Sequence, residues 1–580
     1  MSPYQRSPHY RVALDQRDAH LFVVSLTLPR PAAQQVLRLP VWLPGSYLLR
    51  EFARHLQDLQ ATQGGHAVPL MQLDKTRWVA HCRGRAALKL TWRVHALDPS
   101  VRGAWLDAHR GFFNGSSLFL AAEGRTQEPL RLSIGRLPAG WAIATSLPAG
   151  AGHQVFEAAD YAELIDHPVE MGTFWRGEFQ AGGVPHRFVI TGAWPGFDGA
   201  RLLADTARIC EAQIRLWHGR GRPPFPDYLF LLRVADEGGG GLEHRASTAL
   251  LAHRRDLPRP GSDGAPDSGY QRLLGLISHE YFHAWNVKRL VPVELAAPDL
   301  GQEAYTRLLW WFEGTTSYYD DLVLARTGLI DGPRYLAALA GHMNEVAGTP
   351  GRQVQSVAQA SFDAWTRFYR PDAYTPNGTV SYYAKGALVA ACLDLTLRLA
   401  GPGTLDGVLR RLWALRRPVT EAHIAAALAA EAGRALDAEL AAWVHGTAEL
   451  PLLALLPHFG VQVLHEAPTL AATLGLRLNE GPVSGVTVRF VLRGGAAEAA
   501  GVLPGDELLA AGGWRLRRFE EARAWLPPGQ AVDLLLARDQ RLHTLRLAVP
   551  TDPAVATVSL RPDPQASADA QARRRAWLGG

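Results

Sequence analysis

At 580 residues the chain exceeds the size of one domain, and roughly three to five are expected. Hydrophobic residues make up 47% and charged residues 20%, which excludes a disordered or fibrous chain. The formal charge of +5, with no basic run beyond Arg573-Arg574-Arg575, excludes the footprint of a nucleic-acid binder.

Cys82, Cys210 and Cys392 are far apart, odd in number and form no C-x-x-C pair. Neither a disulfide framework nor a cysteine zinc site is expected. The opening Met1-Ser-Pro-Tyr-Gln-Arg-Ser-Pro8 lacks the apolar core of a secretory signal, and no apolar run has the length of a membrane span. A cytoplasmic, soluble protein is the expectation.

Residues 1–172 read as a β-rich, sandwich-like domain. His20–Leu28, Gln35–Leu39 and Ala87–Val94 alternate or are β-branched, and Pro, Gly and Asp clusters separate them. Leu39-Pro-Val-Trp-Leu-Pro-Gly-Ser-Tyr47, followed by Arg50-Glu51-Phe52, reads as a turn and strand anchored by Trp42. Residues 173–332 read as a second domain, the one that holds the motifs described below. Its apolar spacing predicts a helix over 201–216, and Tyr228–Val234 reads as a buried strand. Gly238-Gly-Gly-Gly-Leu-Glu-His-Arg245 follows. It is either a flexible loop or an edge strand whose bare glycines let an extended peptide approach the backbone. Residues 247–270 are polar and rich in Pro, Gly and Asp, which predicts a surface loop.

His279-Glu-Tyr-Phe-His283 lies inside a buried helix predicted over 273–290. Residues four apart share one helical face, so both imidazoles can meet one zinc ion. Glu280 points beside that ion, where a general base belongs. Catalytic zinc takes three protein ligands. Glu313 is the third candidate: one carboxylate in the middle of an apolar helix, Leu308-Leu-Trp-Trp-Phe-Glu-Gly-Thr-Thr-Ser-Tyr-Tyr-Asp-Asp321. A buried carboxylate is paired or binds metal; the plainer reading is a Glu paired with an Arg. Asp320, two turns on (320 − 313 = 7), is either a partner for a ligating histidine or a surface Asp.

His279–Pro292 and Trp311-Phe-Glu-Gly-Thr-Thr-Ser-Tyr-Tyr319 closely resemble the glycyl aminopeptidase family, zinc peptidases of the gluzincin type with a C-terminal PDZ domain. The resemblance runs from about residue 10 to 549. It implies a thermolysin-like catalytic domain, one Zn²⁺, and release of a small N-terminal residue, Gly or Ala. Gly240-Gly241-Leu242-Glu243-His244 looks like the Gly-x-Met-Glu-Asn motif of related aminopeptidases, with Leu for Met and His for Asn. The resemblance makes Glu243 the anchor of the substrate's free α-amine. Residues 333–455 are Ala/Leu-rich and read as an all-α subdomain. There Tyr382-Tyr383-Ala-Lys385-Gly386 looks like Tyr-x-Lys-Gly, which implies Tyr383 as donor to the oxyanion. Tyr382 is the alternate, lining the substrate site.

Residues 456–550 resemble a PDZ domain, most closely at Ala500-Gly-Val-Leu-Pro-Gly-Asp-Glu-Leu508. Leu474-Gly475-Leu476 is its candidate carboxylate loop for protein C-termini; a module that only packs is the other reading. Residues 551–580 read as a Pro-, Ala- and Asp-rich tail. Two rivals to a zinc aminopeptidase stand: an endopeptidase with the same centre, and an inactive PDZ-carrying binding protein.

Overall fold

Strand Leu21–Leu28 buries Phe22, Val24, Leu26 and Leu28 and turns the residues between them outward, the period of two that its sequence shows. It lies between His9–Gln16 and Leu88–His95 in a seven-stranded sheet, and two four-stranded sheets accompany it. The computed structural model describes residues 7–262, 264–483, 485–551 and 557–579. It divides into two compact units: Met1–Ala304 with Arg416–Pro418, and Tyr305–Leu415 with Val419–Gly580. Among the described residues no single helix is long and apolar enough to cross a membrane.

In the first unit the β-rich part shares its core with the sheet that follows. Val189, Leu229, Leu231, Leu242 and Ala249 belong to the same buried cluster as Phe22 and Trp92. This second sheet has five strands in the order Trp175–Ala181, Val184–Thr191, Tyr228–Ala235, Ser247–His253, Gly240–Glu243. The three central strands are parallel, with helix Gly199–His218 in the first crossover. The glycine run therefore ends in an edge strand, antiparallel to its neighbour. The surface loop expected over 247–270 is corrected: Ser247–His253 is a buried central strand. Its two hydroxyl residues and the polar segment behind it hid the run Ala249-Leu-Leu-Ala252.

Helix Ser268–Phe282 starts and stops earlier than the 273–290 expected. Asp267 caps it, accepting from Tyr270 N–H at 2.8 Å. Beyond it the chain reverses at Val287, φ +118°, whose N–H bonds Leu290 O at 3.0 Å.

In the second unit the single helix expected around Glu313 is two, Leu309–Phe312 and Gly314–Arg326, with Glu313 at the joint. The ladder passes through it: Glu313 N–H bonds Leu309 O at 2.7 Å, and Ser317 N–H bonds Glu313 O at 2.8 Å. The Phe312 carbonyl instead takes the Thr316 hydroxyl at 2.6 Å. Between 333 and 455 the described elements are helices. A separate sheet runs Leu476–Gly481, Gly485–Val491, Glu507–Ala511, Ala531–Arg538, Arg541–Ala548 over a core of Leu474, Val488, Leu508, Leu534 and Leu547.

The tail reading of 551–580 is also corrected. Thr557–Pro562 pairs antiparallel with Val461–Glu466, which stands apart from the sheet just described. Ala568–Leu578 is a helix whose Trp577 is fully buried. Its indole N–H donates to Tyr318 Oη at 2.8 Å, and Tyr318 donates to Asp394 Oδ2 at 2.7 Å. One aromatic anchor among polar residues leaves average composition tail-like, so composition could not reveal the docking.

Candidate metal centre and active site

Helix Ser268–Phe282 is fastened to the first unit by its apolar side and by hydrogen bonds. Gln213 Nε2 donates to Ser278 O at 2.8 Å. Tyr281 packs edge-on against Tyr228, ring centroids 4.8 Å apart. Its hydroxyl meets His186 Nε2 at 2.8 Å, while His186 Nδ1 faces Val184 O at 2.9 Å. A carbonyl only accepts, so Nδ1 carries the proton and Nε2 accepts from Tyr281. Burial keeps His186 neutral, its pKa lowered to about 4.

With Tyr281 committed to the core, His279 and His283 share another face. Their Nε2 atoms stand 3.1 Å apart. His283 is buried, and its Nδ1 lies 2.7 Å from Asn286 O, which likewise puts the proton on Nδ1 and leaves an Nε2 lone pair. This is the tautomer a metal ligand needs. Two imidazole nitrogens on one tetrahedral zinc would stand about 3.3 Å apart, so the pair fits that ion. The orienting group for His283 is a backbone carbonyl, which no residue-type pattern announces.

Glu280 is buried beside this pair. Gly241 of the edge strand presses on it: a Cβ there would lie 2.3 Å from Glu280 Oε1. The turn closing the edge hairpin bonds His244 N–H to Ser247 O at 2.9 Å. By the alternation of an antiparallel ladder, the backbone groups of Gly241 and Glu243 then face away from Ser247–His253. Arg102 Nη2 donates to Gly241 O at 2.8 Å on that outer side. Arg102 carried no signal in the sequence. Gly240, at φ +119°, adopts a conformation that favours glycine.

Glu243 is 4% exposed, and its Oε1 has no hydrogen-bond partner among the described residues. It lines a cavity of about 590 Å³ together with Gly45, Tyr47, Asp166, Arg245 and Lys288. His244 is buried, with Nδ1 3.5 Å from Asp166 Oδ1. Lys288 Nζ is 2.5 Å from the same oxygen. Burial alone would raise Asp166; the Lys288 ammonium and then His244 overcome it and hold the carboxyl well below its usual range. Lys288 thus has a carboxylate partner rather than a catalytic place.

In the second unit Glu313 is 3% exposed and follows the fully buried Trp310, Trp311 and Phe312 in the chain. Its helix crosses Ala384–Ala400 at two glycines: a Cβ on Gly314 would stand 2.4 Å from Gly386 Cα. This crossing gives Lys385-Gly386 a packing reason. Tyr383 comes just before that helix, half-buried, with its hydroxyl 3.0 Å from Tyr369 Oη. Burial, then the Glu313 carboxylate, then Tyr369 push its pKa well above the usual tyrosine value, so the phenol keeps its proton. Tyr382 is fully buried and stacks on Tyr383 at 4.8 Å. Asp320 is half-buried on Gly314–Arg326 and accepts from Asp321 N–H at 2.6 Å. At the other sheet, Leu474 ends a short helix, Gly475 is left-handed at φ +76°, and Leu476 opens a strand. Gly475 N–H is taken by Ala472 O at 3.1 Å.

Two stretches of the chain match family models. Residues 9–173 match the peptidase M61 N-terminal domain, and residues 272–389 match the M61 glycyl aminopeptidase domain. A crystal structure of an aminopeptidase N family protein from Idiomarina loihiensis is 35% identical, with TM-score 0.93, covering 98% of this chain and 100% of that one. An M1 zinc metallopeptidase from Deinococcus radiodurans is 17% identical, with TM-score 0.46, covering 77% of this chain and 97% of that one. No curated protein sequence matches the chain.

Proposed function

This chain belongs to the M61 glycyl aminopeptidase family of zinc metallopeptidases, and on that premise we propose that it releases a small N-terminal residue, Gly or Ala, from peptides. The observation that carries the exopeptidase reading is Glu243. A buried carboxylate oxygen without a hydrogen bond, at the wall of a cavity, is an incomplete pair. The α-ammonium of a peptide completes it.

By the family resemblance His279, His283 and Glu313 would hold the zinc ion, and Asp320 stands as the candidate partner of a ligating histidine. Bound zinc supplies the Lewis acidity that activates water and polarises the scissile carbonyl. Glu280 accepts the water's proton and delivers it to the leaving amine. Tyr383, protonated at neutral pH, donates to the developing oxyanion. Tyr382 lines the same region from behind. Gly240 and Gly241 align the peptide, Gly241 through its outward backbone, whose carbonyl is already engaged by Arg102. The sheet module over 470–549 is read as PDZ-type; its ladder order and buried core support this.

The test is to incubate the full chain, zinc-loaded and chelated, with Ala- and Gly-initiated peptides, each free and N-acetylated, beside Glu280→Gln. Loss of the first residue from free peptides alone, abolished by chelation and by the substitution, is the expected result. Internal cleavage of acetylated peptides would make the protein an endopeptidase. Stoichiometric zinc without any turnover would favour a binding protein.

A further inference from the structure

In the sequence the segment Leu39–Tyr47 reads as structural in preference to substrate-contacting, yet its turn reaches the anchor carboxylate. Ser46 N–H bonds Leu43 O at 3.0 Å, and Gly45 lies at φ +93°. A Cβ on Gly45 would stand 2.3 Å from Glu243 Oε1 and 2.6 Å from Cδ and Oε2. The carboxylate occupies the volume a side chain would need. Other left-handed glycines differ: Gly64, at φ +58°, has nothing within 4 Å of its Cβ position.

The turn is also held from several sides. Trp42 Nε1 donates to Gln302 O at 2.8 Å, and Val41 N–H donates to Leu300 O at 2.8 Å. Arg50 donates to Ser46 Oγ from Nε at 3.0 Å and from Nη2 at 2.8 Å. A turn so fastened does not give way, so Glu243 must move if Gly45 gains a side chain.

From this contact we propose that Gly45 is a positioning residue for recognition of the substrate's α-ammonium. Its bare Cα is the wall that holds the Glu243 carboxylate in the orientation open to the cavity. The inference rests on Glu243 as amine anchor. It adds that the β-rich N-terminal part, and not the peptidase sheet alone, sets the grip on the substrate's first residue.

The test compares wild type, Gly45→Ala, Glu243→Asp, the double variant and Gly64→Ala, with kcat and KM measured on Ala-Ala-Ala. Gly45→Ala is expected to raise KM about ten- to a hundredfold, the value of one charge-assisted hydrogen bond, with kcat changed less. Glu243→Asp raises KM too. The double variant should be no worse than Glu243→Asp alone, because the shorter acid vacates the space of the new methyl; backbone strain at position 45 would persist in both backgrounds. Gly64→Ala, strained but uncrowded, should match wild type. An unchanged KM for Gly45→Ala, or a penalty that survives undiminished in the Glu243→Asp background, overturns the proposal while leaving Glu243 its role. An unchanged KM for Glu243→Asp removes the anchor reading itself. If Gly45→Ala does not fold, Ser46→Ala decides: it releases both Arg50 bonds and should raise KM severalfold, and no change overturns the proposal.

Discussion

Gly241 and Glu280 are in direct contact: a Cβ on Gly241 would stand 2.3 Å from Glu280 Cδ and Oε1 and 2.4 Å from Cγ. Gly241 is not among the left-handed glycines, so alanine fits its backbone without strain. The crowded atoms are the far end of a flexible side chain. Gly241→Ala is therefore expected to fold and bind zinc normally while displacing Glu280, the proposed general base. A fall in kcat of about a hundredfold follows. Thermal melting and metal content measured beside kcat check it; unchanged turnover would separate Glu280 from proton transfer.

Tyr382 and Tyr383 are neighbours with different surroundings. Tyr382 is fully buried, whereas Tyr383 is half-buried and feels the Glu313 carboxylate. Tyr383→Phe should lower kcat by about 3 kcal/mol of transition-state stabilisation and leave KM nearly unchanged. Tyr382→Phe should stay close to wild type in kcat. The reverse pattern would transfer the oxyanion role to Tyr382.

His186 makes stability depend on pH. Its pKa is lowered to about 4 in the fold, below the ordinary 6.5. The unfolded chain therefore takes up the proton first as pH falls. The contribution is complete above about pH 6.5 and is lost progressively toward pH 4, on the order of 3 kcal/mol over that window. Protonation also ends His186 Nε2 as acceptor for Tyr281, the residue next to Glu280. Denaturant titrations of wild type and His186→Gln between pH 8 and 4 should converge at the acid end. Parallel curves would remove His186 from the acid response.

Trp577 ties the C-terminal helix to the helix that begins after Glu313. It is fully buried, donates to Tyr318, and its carbonyl accepts from Arg326 Nε at 3.2 Å. Trp577→Ala should cost about 3–5 kcal/mol through the cavity it leaves. Calorimetry of the full chain tests this, and a melting point equal to wild type would return the segment to the status of a tail.

The chemistry was legible where it depends on spacing along one element. His279 and His283 share a face because they are one helical turn apart, and Glu280 follows from the same geometry. The strand alternation over Leu21–Leu28 was legible for the same local reason, whereas the glycine run left loop and edge strand both open until the ladder with Ser247–His253 was seen. Ser247–His253 was not, because a central parallel strand buries both faces and shows no alternation. The terminal helix escaped because its docking rests on Trp577 alone.

By itself the sequence determined the family and singled out the candidate donor set and the candidate general base, since these lie in short motifs whose periodicity places side chains together. Only the tertiary structure decided what presses on those side chains. Gly45 meets Glu243 from 198 positions away (243 − 45), and Arg102 meets Gly241 from 139 (241 − 102). Such contacts arise when separate elements close on a shared core, and no local period encodes which glycine will face which carboxylate.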